Sequence, residues 1–227
     1  MRTRGTEASD GKSAPHAQKP AWRSPLPIAV FLAIAILGLV ADLWSKHVVF
    51  DSLLSAPRVA QRVEQVRRAV PPDTPPDEVL RYVRAQRRLM PGVKLTLSTN
   101  PGVVFGFKPH ESAPTRKLIV TLATGLCMVL VLVFFGQSHR NAWLSHVGLA
   151  LILAGALGNL YDRTVAKVYL PGMPGRPITG QVRDFVDASE LYYKYIFNIA
   201  DVWLVVGVGL LMLHWFLNRK ENSAQAA

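Results

Sequence analysis

"VWLVVGVGLLMLHWFL", residues 202–217, holds no Asp, Glu, Lys or Arg, and the stretch in front of it, "FNIAD" (197–201), ends on an aspartate. A helix rises about 1.5 Å per residue and the hydrocarbon core of a bilayer is about 30 Å thick, so roughly 20 such residues cross it. With Ile199, Ala200 and Asp201 added, the stretch is long enough. Three further stretches are similarly apolar: 27–44, whose one charge is Asp42 near its end, 118–135 and 142–161. A spanning segment must satisfy its own backbone groups, so each is read as a helix. The expected fold is an all-α polytopic membrane protein with four transmembrane helices, at about 27–44, 118–135, 142–161 and 199–217. The first span follows basic residues, as a signal peptide would, but its end "LGLVADLWSK" lacks a paired small-residue cleavage site and is read as retained.

Between the spans lie two long loops. Residues 52–90 are expected to form a helical-hairpin insertion from "PRVAQRVEQVRRAV" (57–70) and "PDEVLRYVRAQRRLM" (76–90). Val59, Val63, Val66 and Val70 make one apolar stripe, and Val79, Leu80, Val83 and Met90 the other. "VKLTLST" (93–99) alternates and reads as a strand, giving a small β element. The polar residues 1–24 read as a disordered tail, 25–220 as the membrane domain, and 221–227 as a C-terminal tail. The net charge of +11 raises the question of nucleic acid. No stacking aromatics interleave with the arginines, so no nucleic-acid partner is expected. Cys127 stands alone inside a span, which excludes a disulfide framework. His16, His47, His110, His139, His146 and His214 are scattered without paired spacing, so neither a metal nor another cofactor is expected.

Polar residues gather where the spans end. Asp42 and Lys46 stand at i,i+4 near the end of the first span, where an ion pair can form. "GNLYDR" (158–163) closes the third, with Asn159 and Asp162 on one helix face and Arg163 beside them. "VRDFVD" (182–187) supplies Asp184 and Asp187. Asn198 fits the N-cap of the last helix, with Asp201 as the acidic partner of a capping box. Four spans put all of these, and Asn100, on the same side. Ionisable groups near hydrocarbon cost about 2.5–3.5 kcal/mol each, so their gathering marks a candidate site. Two facing aspartates can hydrolyse an amide, one as base and one as acid. Spacing alone leaves another reading open. Asp42–Lys46 and Asp162–Arg163 would then be simple ion pairs and Asp201 only a cap. Ala154, Gly155 and Gly158 read as a helix-packing face. Ser45 and Lys46 are sequential neighbours on a helix and point apart, which disfavours a Ser/Lys peptidase. The second loop carries five Lys or Arg and the 137–141 turn one, so charge counting leaves the orientation open.

With "DLWSK" (42–46), "NPGVVFGF" (100–107), "GNLYDR", "RDFVD" and "FNIAD" in this order, the chain resembles lipoprotein signal peptidase, the type II signal peptidase. That resemblance implies an aspartic endopeptidase of the bacterial cytoplasmic membrane that cuts prolipoproteins before a diacylglyceryl-modified cysteine. It implies Asp184 and Asp201 as the catalytic pair, with Asp184 chosen over Asp187 because it precedes the Phe of the "DF" pair. Asp42, Lys46, Asn100, Gly102, Asn159, Asp162, Arg163, Asn198 and Ala200 match supporting or substrate-binding positions. It also implies cytoplasmic termini, an extracytoplasmic β element, a site near the outer leaflet, and lipidated prolipoproteins and membrane lipid as partners of a monomer. The insertions 52–90 and 168–180, Pro101 and the Val103–Val104 pair depart from the family's pattern. A small transporter would instead place its polar groups at mid-span, and a non-enzymatic membrane anchor would not require the Asp and Asn set.

Overall fold

The structure, a computed structural model, describes residues 20–102 and 113–225. Four of its helices are long and apolar enough to cross a membrane: α1 (Pro25–Leu54), α4 (Ala113–Gln137), α5 (Trp143–Thr164) and α6 (Ile199–Gln225). This is the expected architecture with longer helices. α1 runs eight residues past Lys46, so Asp42 and Lys46 lie inside it rather than closing it. The last span likewise continues as helix beyond 217. Of the tail expected over 1–24, residues 1–19 lie outside the described part. Residues Ala21–Arg23 form a 3-10 turn whose Ala21 is buried and donates its N–H to Ser138 O.

α5 is the least hydropathic span and the central one, buried along most of its length, while α4 and α6 turn most of theirs outward. Its small residues explain this. Lipid tails give helices no hydrophobic reason to associate, so close packing must supply the attraction, and small side chains allow it. A Cβ at Gly155 would stand 2.5 Å from Ala200 O of α6, and one at Gly158 would collide with the Asp42 carboxylate of α1. Ala154 packs against Gly38. Phe31 and Phe135 stack at 4.1 Å in the apolar core of the bundle, beside Leu149 and Leu153.

A second core lies at one end, where α1 projects beyond the bundle. Val49, Phe50 and Leu53 meet Val59, Val63 and Val66 of α2 (Pro57–Ala69), Val79, Leu80 and Val83 of α3 (Pro76–Val83), and Leu95, Leu97 and Phe185. Both apolar stripes thus find their partner, except at Met90, which is exposed. The second helix of the hairpin ends at Val83, because Arg84 turns into the left-handed region at φ 45° and residues 86–90 become a strand. Gly92, at φ 85°, closes a hairpin that pairs β1 (Gln86–Met90) with β2 (Val93–Asn100). Two short strands, β3 (Lys167–Val168) and β4 (Ile178–Thr179), form a separate pair within the second loop. β5 (Val182–Asp187) and β6 (Ile196–Phe197) complete the antiparallel sheet β1-β2-β5-β6, with Ser98 opposite Asp184 and Asn100 opposite Val182.

Candidate active site

The start of α6 is held by a reciprocal cap. Asp201 N–H donates to Asn198 Oδ1 at 3.1 Å, and Asn198 N–H donates to Asp201 Oδ2 at 3.2 Å. Two backbone donors that a helix start would otherwise leave bare are satisfied in this way. The Asn198 amide does more than cap. Its Nδ2 donates to Asp184 Oδ1 at 2.6 Å and to Asn159 Oδ1 at 3.2 Å, and Asn159 Nδ2 donates to Asp201 Oδ1 at 3.1 Å. Two amides, one on α5 and one at the head of α6, therefore join the carboxylate of β5 to that of α6.

Beneath this bridge lies a layer of buried charge. Lys46 Nζ donates to Asp42 Oδ2 at 2.7 Å and to Asn159 Oδ1 at 3.0 Å, and sits 3.1 Å from Asp162 Oδ2. Asp42 also accepts from Ala200 N–H at 2.8 Å. Asp162 accepts three bonds from Arg183: from its backbone N–H at 3.0 Å, Nε at 2.9 Å and Nη2 at 2.7 Å. Asp42, Lys46 and Asp162 are fully buried, and with Arg183 they form a set of two anions and two cations. Buried charge is tolerated only when paired and hydrogen-bonded, and here each member is. The layer ties α1, α5, β5 and α6 into one unit.

The Asp184 carboxyl is strongly shifted. Burial first, and the Asp201 charge second, push its carboxyl up to about 7, against the pull of hydrogen bonds from Asn100 and Asn198 and of Lys46. Asn100 is itself fixed by a tight turn, its Oδ1 accepting from Gly102 N–H at 2.9 Å with Gly102 at φ 86°. Arg163 Nη1 donates to Asn159 O at 3.3 Å, and the charges of Asp184 and Asp201 are within its reach. Its buried Nε has no hydrogen-bond partner among the described residues.

All the sequence-selected groups thus stand at one end of the bundle, in or beside one network, apart from the competitor Asp187. Three residues from Asp184 on one strand, Asp187 faces the other way. It accepts from Ser189 N–H at 2.9 Å, and the hydrogen bonding with Ser189 holds its carboxyl below the usual carboxylate range. One pairing needs correction: Asp162 is bound by Lys46 and Arg183, not by its neighbour Arg163. Arg183 was not selected from the sequence, where no local spacing connects it to Asp162, 21 positions earlier. Among the described residues no group of three His, Cys, Asp or Glu could hold a metal ion.

Four membrane-crossing helices with two linked carboxylates over a neutralised charge layer define a polytopic membrane protein with a polar site at one end. A family model described as signal peptidase (SPase) II matches residues 34–217, and the chain belongs to that family of peptidases. A lipoprotein signal peptidase of Haemophilus ducreyi is 34% identical over 136 residues, covering 60% of this chain and 76% of that one. One of Yersinia pestis is 32% identical over 137 residues, covering 60% and 73%. A solved bacterial membrane enzyme, 21% identical, shares the fold with a TM-score of 0.59 over 91% of this chain and 96% of its own.

Proposed function

We propose that the protein is an aspartic endopeptidase that removes the signal peptides of prolipoproteins, cutting before the diacylglyceryl-modified cysteine, with Asp184 and Asp201 as its catalytic pair. The observation that carries this reading is the linkage of the two carboxylates through Asn198 and Asn159, with Asp184 pushed up to about 7. Near neutral pH such a pair shares one proton, held on Asp184. Asp201, ionised, takes a proton from a water while Asp184 donates its own to the carbonyl oxygen of the scissile bond. The water oxygen bonds to the carbonyl carbon, and the resulting gem-diol collapses as its C–N bond breaks, Asp201 passing the proton it took to the leaving amine and Asp184 recovering one from a gem-diol hydroxyl. The amide bridge fixes both carboxylates in place, so little reorganisation is needed when charge develops.

The site lies near the outer leaflet and both termini are cytoplasmic. In this orientation the substrate's signal helix stays in the bilayer and its lipidated cysteine meets the carboxylates at the surface. Acyl chains anchor the substrate by about 0.8 kcal/mol per buried CH₂, which the unlipidated precursor lacks. The test is cleavage of a diacylglyceryl precursor by the purified protein in proteoliposomes. Asp184→Asn and Asp201→Asn are each expected to abolish turnover, since neither can carry out the proton transfers, a contribution of about 10²–10⁴-fold or more. Turnover that survives Asp184→Asn, or equal cleavage of lipidated and unlipidated precursors, would overturn the reading.

A further inference from the structure

Residues 57–90 carry eight arginines, none of which the chemistry above uses. Several have local partners: Arg68 pairs with Glu64 at 2.9 Å, Arg67 donates to Gly172 O at 2.6 Å, and Arg88 stands 3.7 Å from Glu190. Arg62, Arg81 and Arg84 have no carboxylate partner among the described residues, and all three line one open cavity of about 720 Å³ between α2 and α3, beside Tyr82. Three unpaired cations around one hollow repel each other. The fold also holds Arg84 at φ 45°, where Gly or Asn would fit with less strain. A second cavity, of about 430 Å³, shares Arg81 and Arg84 with the first and is walled by Thr96–Thr99 of β2, with Asp77 its one carboxylate against the two arginines. Ser98 of that wall is the strand partner of Asp184. The two hollows therefore form a groove that leads from the strand beside Asp184 to the three arginines.

We propose that this groove receives the acidic residues that follow the cysteine of the substrate, an inference that rests on the peptidase reading above. On that reading the signal peptide remains in the bilayer, and the chain after the cysteine is the part that leaves the membrane on this side. Ser98 and Thr96 are two residues apart along β2, and Thr96 pairs with Gln86, two residues past Arg84, so an extended chain leaving the strand beside Asp184 needs only a few residues to come to the arginines. Carboxylates carried a few residues after the cysteine then meet Arg81, Arg84 and Arg62. The second hollow borders the strand that pairs with β5 and its Asp184, where a peptide substrate has to pass, which favours a peptide over a headgroup. The attraction is between solvent-exposed charges, so it steers and selects substrates and weakens with salt.

The experiment uses the full-length protein in proteoliposomes and three diacylglyceryl precursors that differ only at residues five to nine after the cysteine: acidic, neutral or basic. The wild-type protein is expected to prefer the acidic tail about tenfold in kcat/KM at low ionic strength, mainly through KM, and less in high salt. Arg62→Gln, Arg81→Gln and Arg84→Asn together, the Asn chosen because it tolerates the left-handed backbone, are expected to bring that ratio close to one. Arg62→Glu with Arg81→Glu is expected to invert it in favour of the basic tail. Equal kcat/KM for all tails in the wild type, or a charge reversal that leaves the ratio unchanged, would overturn the groove and leave the peptidase standing. A wild-type protein that cuts none of the three would overturn the peptidase reading and the inference with it. An effect of the arginines that follows the anionic-lipid content of the vesicles, and is the same for every tail, would assign the groove to headgroups and refute the proposal.

Discussion

Asp184→Asn should make the protein inactive and, above neutral pH, more stable. The carboxyl is raised from 3.8 to about 7, so between those values the folded protein keeps a proton that the unfolded chain has lost. A state that binds the extra proton is favoured by acid, so native stability falls as pH rises through this window, by about 1.4 kcal/mol per pH unit. The interval from 3.8 to about 7 is roughly three pH units, which sets a ceiling of about 4 kcal/mol for the cost of ionised Asp184 above pH 7. Asparagine has the same shape, keeps an oxygen for the 2.6 Å bond from Asn198 Nδ2, and never ionises. Unfolding followed by circular dichroism in detergent at pH 4, 6 and 8 measures the difference. Parent and variant should coincide near pH 4, and the variant should be more stable by about 2–4 kcal/mol at pH 8, a rise of roughly 5–15 °C in Tm. A stability difference independent of pH, or a variant less stable than its parent at pH 8, would refute the reasoning.

Arg183→Met should leave fully buried Asp162 with Lys46 as its one cation and cost about 3 kcal/mol in unfolding measurements, with Arg183→Lys restoring only part because it lacks the two-pronged fork. Gly158→Ala should drive a methyl into the Asp42 carboxylate and disturb its bond to Ala200, lowering kcat by about tenfold, or about 1.4 kcal/mol of barrier. Gly125→Ala, whose methyl meets open space, is the control and should be silent in the same cleavage assay. Asp187→Asn should keep most of the cleavage activity while loosening the turn at Ser189, at a stability cost of about 1 kcal/mol in thermal unfolding.

The parts of this molecule legible in its sequence are those governed by short spacings. Hydropathy marks each span, and the Asn198–Asp201 cap joins residues three apart, so the sequence already contains the geometry. The Asp42–Lys46 pair is legible for the same reason, at four apart. Arg163 is the local candidate for the partner of Asp162 because it is adjacent, yet consecutive residues on a helix point about 100° apart, and the real partners, Lys46 and Arg183, come from other elements. The strand 86–90 was hidden by its arginines and by an apolar stripe that seemed to run on to Met90. What decides its state is the exposed edge of β2, and a pairing partner in the fold leaves no local mark in the strand it recruits. The continuation of α1 beyond the bundle is not legible because its apolar residues there, Val49, Phe50 and Leu53, serve the second core, built from α2, α3 and the sheet.

The network at the head of α6 also sets a schedule. Chains are made from the N-terminus, and Asp42, Lys46, Asn159, Asp162 and Asp184 all emerge before Asn198, whose amide completes with Asn159 the link between the two upper carboxylates and caps the final helix. Until Asn198 and Asp201 are in place, the earlier groups lack both the second carboxylate and the amide that aligns the first. A nascent or truncated chain that stops short of the fourth span therefore carries most of the charged layer but no linked pair of carboxylates. On the proposed reading, competence arrives in one step, with the insertion of the last helix, and the peptidase is silent throughout its own synthesis.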